Sequence, residues 1–230
     1  LMIRIWLIVS KVFAFFIHLG AGCMHAKQGI SQDRFSERLG IATVSHTKGR
    51  WIWVHAASLG EVGQTAQLIT NLQDIHGFNV IVTTVTKSGA DWVEKYLPNV
   101  VHQFLPLDTP MAVHNFLENW SPERAVFIES DIWPRVVLET AARQIPLALI
   151  NARPSKSRDR APKSYRYLLS NFVMITCKSS QVLDGFRKLG IAQERLFYFG
   201  DLRASVPPLA VDQLALDTLQ SAFSDRPVWI

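Results

Sequence analysis

The 230-residue sequence predicts an α/β fold, a parallel sheet flanked by helices, preceded by an N-terminal membrane-associated helix. From residue 51 onward, short runs of β-branched and aromatic residues alternate with longer helical patterns, which is typical of a parallel sheet with crossover helices. Residues 1–22 are strongly apolar. An apolar content of 48% with 19% charged residues is sufficient for a full hydrophobic core in one large domain.

Basic residues interrupt the apolar N-terminal segment at intervals of seven, at Arg4, Lys11 and His18. Positions seven apart drift by only about 20° around a helix, so these residues are predicted to form one basic stripe that His25 continues. This pattern is typical of a helix lying in the membrane interface. The alternative is a tilted spanning anchor whose long basic side chains reach the interface. A cleaved signal peptide is disfavoured, because only Val12–Ile17 forms a continuous apolar core.

The strand candidates follow one another along the chain at residues 51–55, 79–84, 100–105, 124–128, 146–151, 172–177 and 196–200. Crossover helices are predicted between them at Gln64–Ile75, Gly89–Tyr96, Met111–Trp120, Pro134–Arg143, Lys163–Leu169 and Gln181–Leu189. Residues 205–225 are interpreted as a connector. Because parallel α/β sheets bind ligands beyond the carboxyl ends of their strands, the candidate functional loops begin at His55, Thr84, Glu129, Asn151 and Gly200.

The net charge of +5, from 24 basic and 19 acidic side chains, suits an anionic partner such as a phosphate, a nucleic acid or a lipid surface. Cys23 and Cys177 are the only cysteines, and their separation suggests neither a disulfide framework nor a zinc site. The G-x-G-x-x-G and G-x-x-x-x-G-K-[ST] patterns are absent from the sequence. Dinucleotide binding or phosphoryl transfer through those motifs therefore has no support.

The first loop reads HAASLGEVG, in which Ser58 and Gly60 precede Glu61 at the start of a predicted helix. A strand end followed by small residues and a helix N-terminus can cradle a phosphate or a sugar. Ser58 and Glu61 also have the S-x-x-E spacing of a capping box, in which each side chain bonds a backbone amide at the helix start. Spacing alone favours this structural interpretation.

The loop FIESDIWPRV places Glu129 and Asp131 on either side of Ser130, where a buried strand should end. Two neighbouring carboxylates suggest a functional site. The structural alternative is that Asp131 caps the following helix while Glu129 pairs with a nearby arginine. Trp133 is predicted to lie in the core.

A concentrated basic segment follows Asn151. Against the single acid Asp159 it carries Arg153, Lys156, Arg158, Arg160, Lys163 and Arg166. A solvated charged face is the usual explanation for such a run, but its position beyond a strand end also suggests contact with phosphates. A lipid phosphate is favoured over a nucleic acid, because the basic positions follow the spacing of one helix face.

Several motifs occur in order between Arg34 and Arg203: RFSERLG, WVHAASLGE, TTVTKSGAD, LPLDTP, ESDIWP, NARPS, LGI and GDLR. Together they resemble the transferases of 3-deoxy-D-manno-octulosonic acid (Kdo) in lipid A assembly, glycosyltransferase family 30. The resemblance implies a GT-B fold of two Rossmann-like domains, the first binding the lipid acceptor and the second the donor CMP-Kdo. The apolar N-terminal segment predicts a membrane-anchoring helix at residues 1–25, and the resemblance implies a Rossmann-like acceptor-binding domain at 26–208. Residues 209–230 would be a connector and the start of a CMP-sugar-binding domain.

The resemblance also implies roles for individual residues: Glu61 as general base, with Glu129 and Arg203 stabilising the transition state. Acceptor binding would fall to Ser58, Gly60, Asp131, Arg153 and Ser155. The base would take the proton that the acceptor hydroxyl loses as it attacks the anomeric carbon. The leaving group is a monophosphate that cationic side chains can neutralise, so no metal or other cofactor is predicted. The implied partners are a lipid A precursor, CMP-Kdo and the cytoplasmic face of the inner membrane, with no nucleic acid.

The sequence departs from the family pattern at three positions. Asp131 stands where glutamate is usual, Arg135 where asparagine is usual, and Arg203 where lysine is usual. An arginine keeps the charge but has a wider planar group with different hydrogen-bond geometry. Two alternatives therefore stay open: a transferase of the same fold with another acceptor or sugar, and a noncatalytic membrane-bound binding module.

Overall fold

Parallel strands form a seven-stranded central sheet in the protein, whose computed structural model describes residues 2–129, 132–154, 160–205 and 212–223. In chain order they are β1 (Trp51–His55), β2 (Asn79–Thr84), β3 (Val101–Phe104), β4 (Arg124–Ile128), β5 (Leu147–Ala152), β6 (Phe172–Cys177) and β7 (Leu196–Phe197). The predicted α/β fold with a parallel sheet is confirmed. The last strand is shorter than predicted, because only Leu196 and Phe197 pair with β6.

The strand order is β3-β2-β1-β4-β5-β6-β7. β1 therefore pairs with β2 on one side and with β4 on the other. The chain first builds outward from β1 to β3 and then returns to continue from β4 in the opposite direction. Sheets of this order bind ligands in the crevice where the direction changes, here between the carboxyl ends of β1 and β4.

The central strand β1 is buried along its whole length. Trp53 is fully buried, and its ring centroid lies 4.7 Å from that of Phe116 and 5.1 Å from that of Phe127. Helices cover both faces of a parallel sheet, so its central strands carry apolar side chains at consecutive positions. This explains why the WIWVH run was recognisable as a strand.

The helices that cover the sheet lie close to the predicted positions. They are α1 (Met2–Val12), α2 (Ala14–Lys27), α3 (Phe35–Arg38), α4 (Leu59–Gly63), α5 (Ala66–Asp74), α6 (Lys87–Tyr96), α7 (Pro110–Trp120), α8 (Pro134–Ala142), α9 (Pro162–Leu169), α10 (Ser180–Leu189) and α11 (Gln213–Phe223). Proline begins α7, α8 and α9. Its fixed φ suits the first helical turn, where a backbone N–H would have no helical hydrogen-bond partner. The predicted helix from Gln64 begins later, because Gln64 and Thr65 form the turn between α4 and α5.

The N-terminal segment consists of two helices instead of the single helix predicted. α1 and α2 meet at an angle of 82°. Among the described residues no single helix is long and apolar enough to cross a membrane, whereas the two bent helices taken together have the length and composition to do so. The predicted continuous basic stripe is wrong. The bend separates Arg4 and Lys11 from His18 and His25. His25 is buried, and His18 Nε2 bonds Thr109 Oγ1 over 3.1 Å.

Asp108, which follows β3, fixes α1 against the start of α8. Its carboxylate accepts hydrogen bonds from the backbone amides of Arg135 at 3.1 Å and Val136 at 2.8 Å, and from the indole of Trp6. The Arg135 guanidinium in turn donates to the carbonyl oxygen of Leu7 over 2.7 Å. A carboxylate at a helix N-terminus satisfies amides that lack a helical partner. Asp108 therefore caps α8.

The structure bears on two predictions about the W-P segment, those for Asp131 and Trp133. Asp131, the predicted cap of α8, lies outside the described residues, and Asp108 bonds two amides of that helix's first turn. The prediction that Trp133 lies in the core is wrong, because its side chain is 36% exposed. Trp133 instead packs beside Trp6, with 6.5 Å between ring centroids, since docking of α1 brings Trp6 to it.

Candidate functional site

Two buried residues at the ends of neighbouring strands adopt the left-handed backbone conformation. Glu129 follows β4 with φ of 64°, and Asn151 lies near the end of β5 with φ of 58°. They are 4% and 1% exposed. This conformation is uncommon for residues other than glycine and costs roughly 1–3 kcal/mol unless the surroundings enforce it. Two such residues at the ligand-binding edge of the sheet identify a candidate functional site.

Gln64 connects these two residues. It lies in the turn after α4 and is itself buried. Its Nε2 donates a hydrogen bond to Glu129 Oε1 over 2.8 Å, and its Oε1 accepts one from Asn151 Nδ2 over 3.0 Å. The two bonds fix the orientation of the Gln64 amide, since one partner is an acceptor and the other a donor. The site thus joins the loop after β1 to the ends of β4 and β5.

Asn151 extends the network to the loop after β7. Its Nδ2 also donates to Asp201 Oδ1 over 3.2 Å, and its Oδ1 accepts from the backbone amide of Leu202 over 3.2 Å. Its own backbone amide donates to Thr176 Oγ1 of β6 over 2.9 Å. A buried polar network in which each group has a partner holds its members rigidly. The GDLR loop is therefore positioned by the end of β5.

Cationic side chains pair with both acids of the network. Arg153 forms an ion pair with Glu129, which confirms the predicted pairing of that acid with an arginine. Arg203 donates to Asp201 Oδ2 over 2.7 Å, and Lys178 Nζ lies 3.4 Å from the same oxygen. The hydrogen bond from Arg203 is the main reason that the pKa of the Asp201 carboxyl is held well below its usual range. The same bond raises the pKa of Arg203.

An open cavity of about 480 Å³ adjoins this network. Its lining includes Asn151, Thr176, Phe199, Gly200, Asp201 and Ser205. The volume falls within the roughly 300–1,000 Å³ typical of small-ligand sites. The network thus borders a space into which part of a substrate can fit.

Glu61 lies in α4, the short helix that follows β1. Its Oε2 accepts a hydrogen bond from the backbone amide of Ala57 over 2.7 Å. Ser58, at the helix start, makes no side-chain capping bond. The reciprocal bonds of a capping box are thus not formed, because Glu61 reaches the amide one residue before the cap. Gly60 is exposed and Ser58 is half-buried.

The structure joins some of the predicted site residues and not others. Glu129 and Arg153 are in direct contact, and Arg203 is linked to them through Asp201, Asn151 and Gln64. Glu61 and Gly60 lie in α4, and Ser58 directly precedes that helix. Asp131 and Ser155, like Lys156, Arg158 and Asp159 of the basic segment, lie outside the described residues.

Sequence reasoning did not assign a role to Gln64, Asp201 or Lys178. Asn151 and Asp201 belong to the NAR and GDLR motifs, which were the available signal for them. Gln64 stands in an unremarkable helical pattern and gave no signal. Within the part of the chain that the structure describes, no group of three or more His, Cys, Asp or Glu side chains is placed to hold a metal ion. The expectation that no metal is used stays a prediction.

Comparison with known proteins relates the chain to one family. The profile of 3-deoxy-D-manno-octulosonic-acid transferase (kdotransferase) matches residues 33–206. A 3-deoxy-D-manno-octulosonic acid transferase of Rickettsia felis is 36% identical over 183 residues, which are 77% of this chain and 39% of that protein. The transferase of the same name from Haemophilus influenzae is 30% identical over 217 residues, 91% of this chain and 51% of that protein. The chain thus spans about half the length, or less, of these relatives.

Solved structures support the fold. A glycosyltransferase from Rickettsia africae aligns with a TM-score of 0.55 at 12% identity, covering 80% of this chain and 52% of the other. A UDP-N-acetylglucosamine 2-epimerase aligns with a TM-score of 0.53 at 11% identity, covering 78% of this chain and 62% of the other. At such low identities the likeness concerns the fold alone. It agrees with a Rossmann-like domain of the GT-B type.

Proposed function

Because the chain belongs to the 3-deoxy-D-manno-octulosonic-acid transferase family, we propose that it forms the acceptor-binding part of an enzyme that transfers Kdo from CMP-Kdo to a lipid A precursor. The observation that carries this proposal is the position of two glutamates. Glu61 follows β1 and Glu129 follows β4, the two strands that flank the change of direction in the sheet. Substrates of such sheets bind at that crevice.

Glu61 acts as the general base. The acceptor hydroxyl oxygen forms a bond to the anomeric carbon of Kdo while the bond from that carbon to the CMP phosphate oxygen breaks. The hydroxyl proton passes to the Glu61 carboxylate, and attack from the side opposite to CMP inverts the anomeric configuration. The bond from the Ala57 amide, 2.7 Å long, orients this carboxylate. Orientation matters because the base must lie within hydrogen-bond reach of the hydroxyl.

Arg203 and Glu129 stabilise the charge that develops in the transition state. The Arg203 side chain is 55% exposed and is held in place by Asp201, so its cation is accessible and restrained. It neutralises the departing phosphate. Glu129 is buried and holds Arg153 at the end of β4. A monophosphate leaving group met by such cations needs no metal ion, and the proposed reaction uses none.

The donor site lies in a second domain of the protein. Residues 26–208 form the acceptor-binding domain, and residues 209–230 connect it to a CMP-sugar-binding domain that continues the chain. This division is supported by the relatives, of which the chain matches only 39% to 51%. Acceptor contacts at Ser58, Gly60, Asp131, Arg153 and Ser155 are part of the same proposal.

Residues 1–25 attach the protein to the cytoplasmic face of the inner membrane. Large apolar side chains of α2 are exposed, with Phe15, Phe16 and Leu19 at 66%, 65% and 54%. Soluble proteins seldom expose such a cluster, and apolar patches of this kind mark membrane or protein contacts. A surface position brings the crevice to the level of a lipid's phosphorylated sugars, while its acyl chains stay near the bilayer.

The experiment is a transfer assay of the full-length protein with CMP-Kdo and a lipid A precursor in mixed micelles, with the product identified by mass. We expect a product heavier by one or more Kdo residues. A protein that binds the acceptor but forms no product would be a binding module. Transfer of Kdo to a different lipid, with none to the lipid A precursor, would identify the same fold with another acceptor.

A further inference from the structure

A second cavity, of about 420 Å³, lies under the bend between α1 and α2. One wall is α2, through Ile17, Gly20, Ala21 and Met24, and the other is the sheet edge, through Val85 after β2 and Leu105 after β3. Trp6 and Trp133 complete it on the side of α1. None of the site residues discussed above lines this cavity. The proposed transfer chemistry therefore leaves it unexplained.

The charged side chains in its wall, Asp108 and Arg38, already have partners. His25 also lines the cavity; its Nε2 donates to the Ser31 carbonyl oxygen, and its Nδ1 has no partner among the described residues. The Asp108 carboxylate accepts bonds from Trp6 and from two backbone amides of α8. The Arg38 guanidinium donates to the carbonyl oxygens of Val85 at 2.6 Å and Leu105 at 3.4 Å. Groups held in this way do not require a charged ligand. The occupant that suits the remaining surface is apolar.

Helix α2 presents apolar side chains on opposite faces. Ile17, Gly20, Ala21 and Met24 follow the three- and four-residue spacing of one helix face, and they line the cavity. Phe15, Phe16 and Leu19 lie on the opposite face and are exposed. A helix with apolar side chains on two opposite faces can pack against two apolar environments. The cavity is one of them, and a bilayer surface is the other.

The cavity is open to the surface at Met24, which lines it and is 64% exposed. An acyl chain from a bilayer in contact with α2 can therefore enter the cavity past Met24. The cavity is also linked to the proposed base. Val85 in its wall donates its backbone amide to the Ala57 carbonyl over 2.9 Å, and the Ala57 amide binds Glu61 over 2.7 Å.

We infer that this cavity takes one acyl chain of the lipid acceptor and thereby positions the acceptor's sugar at Glu61. The inference rests on the proposed function and adds a site to it. The cavity's volume is in the range of small-ligand sites. Each methylene withdrawn from water contributes about a fourfold gain in affinity. A single buried chain thus contributes strongly to acceptor binding and selects acylated over deacylated acceptors.

The substitution Gly20→Leu tests this inference. A Cβ built at Gly20 has no atom within 4 Å, so a leucine can extend into the cavity without moving the backbone. Ala26→Leu is the matched control, because Ala26 is exposed on the same helix and does not line the cavity. Gly20→Ala controls for the higher helix propensity of residues other than glycine.

The first measurement is quenching of tryptophan fluorescence in the full-length protein, because Trp6 and Trp133 line the cavity. The probes are a diacylated glucosamine phosphate and a phosphatidylglycerol, each with bromine on its acyl chains. We expect the glucosamine lipid to quench at lower concentration than the phospholipid. Gly20→Leu should raise the half-quenching concentration at least about tenfold, which corresponds to two methylenes displaced. Gly20→Ala and Ala26→Leu should behave as wild type.

The second measurement is the ratio of kcat/KM for an acylated acceptor to that for its deacylated sugar. We expect Gly20→Leu to lower this ratio at least about tenfold and Ala26→Leu to leave it unchanged. An unchanged ratio with unchanged quenching would overturn the inference while leaving the transfer function intact. Equal quenching by the phospholipid would also overturn it, in favour of a bound membrane lipid. Absence of all transfer would refute the proposed function, and the quenching assay would still report on the cavity.

Discussion

The side-chain amide of Gln64 donates to the carboxylate of Glu129 over 2.8 Å, and both side chains are almost wholly buried. This bond joins the loop after β1 to the end of β4, the two strands between which the sheet changes direction. The same amide holds Asn151 at the end of β5. One glutamine thus fixes three loops of the candidate site.

Gln64→Leu should destabilise the protein by about 1–3 kcal/mol, because it removes one hydrogen bond from the buried Glu129 and one from the buried Asn151. Gln67→Leu is the control, since within the described part of the chain the Gln67 side chain bonds only its helix neighbour Asn71, at the partly buried surface of α5. It should change stability by less than about 0.5 kcal/mol. Urea unfolding of both variants measures this. Equal losses would show that the Gln64 network does not support the site.

Asp201→Asn should lower the free energy of unfolding, by an amount that depends on pH. Because Arg203 lowers the pKa of the folded Asp201 carboxyl, the ionised form stabilises the folded state above the ordinary aspartate pKa of about 3.9. At pH 7 the free energy of unfolding of the wild type should exceed that of the variant by about 0.5–1 kcal/mol, a small difference because solvent screens an exposed ion pair. The difference should shrink as the pH falls below 4. A difference that stays constant on acidification would contradict the pairing.

Asp108→Ala should cost about 1–3 kcal/mol, because it removes the cap of α8 and the contact with Trp6. It should also loosen α1 and expose the Trp6 amide to hydrogen exchange. Asp91→Ala is the control, since the Asp91 carboxylate is exposed and, among the residues that the structure describes, pairs only with Lys87 on α6. Thermal unfolding and hydrogen exchange report both effects. Normal protection of α1 in the Asp108 variant would refute this anchoring.

Phe16→Asp should reduce flotation of the protein with anionic vesicles, because it places a charge on the exposed apolar face of α2. Leu214→Asp, at an apolar position of α11 that is 80% exposed, should have no effect. Added salt should weaken vesicle binding less than Phe16→Asp does. Of the basic residues in the predicted stripe, only Arg4 and Lys11 are exposed, so few charges contribute to binding. Equal flotation of both variants would refute attachment through α2.

The sequence predicted the sheet well, because buried parallel strands form uninterrupted apolar runs. It failed at β7, where only Leu196 and Phe197 of five apparent strand residues pair with β6. It also failed at the N-terminus. The break at Phe13 accompanies contacts from Asp108 and Arg135, about a hundred or more residues away, which no local pattern contains.

Only those site residues were predictable whose type or motif already indicates a function in the sequence. The pairing of Glu129 with an arginine followed from the cost of burying a lone charge. Asn151 and Asp201 stood in recognisable motifs, but their bond depends on how β5 and the loop after β7 meet in space. Gln64 was missed because a glutamine in a helical pattern is usually exposed.

Glu61→Gln in the full-length protein tests the central claim most directly. The glutamine oxygen can still accept the Ala57 bond, so stability should change by less than about 0.5 kcal/mol and acceptor affinity by less than about twofold. Loss of the base should lower kcat by about 10² to 10⁴. Glu118→Gln, at an exposed position of α7, is the control and should keep full turnover. A Glu61→Gln enzyme whose kcat stays within tenfold of wild type, with melting and binding unchanged, would contradict the account.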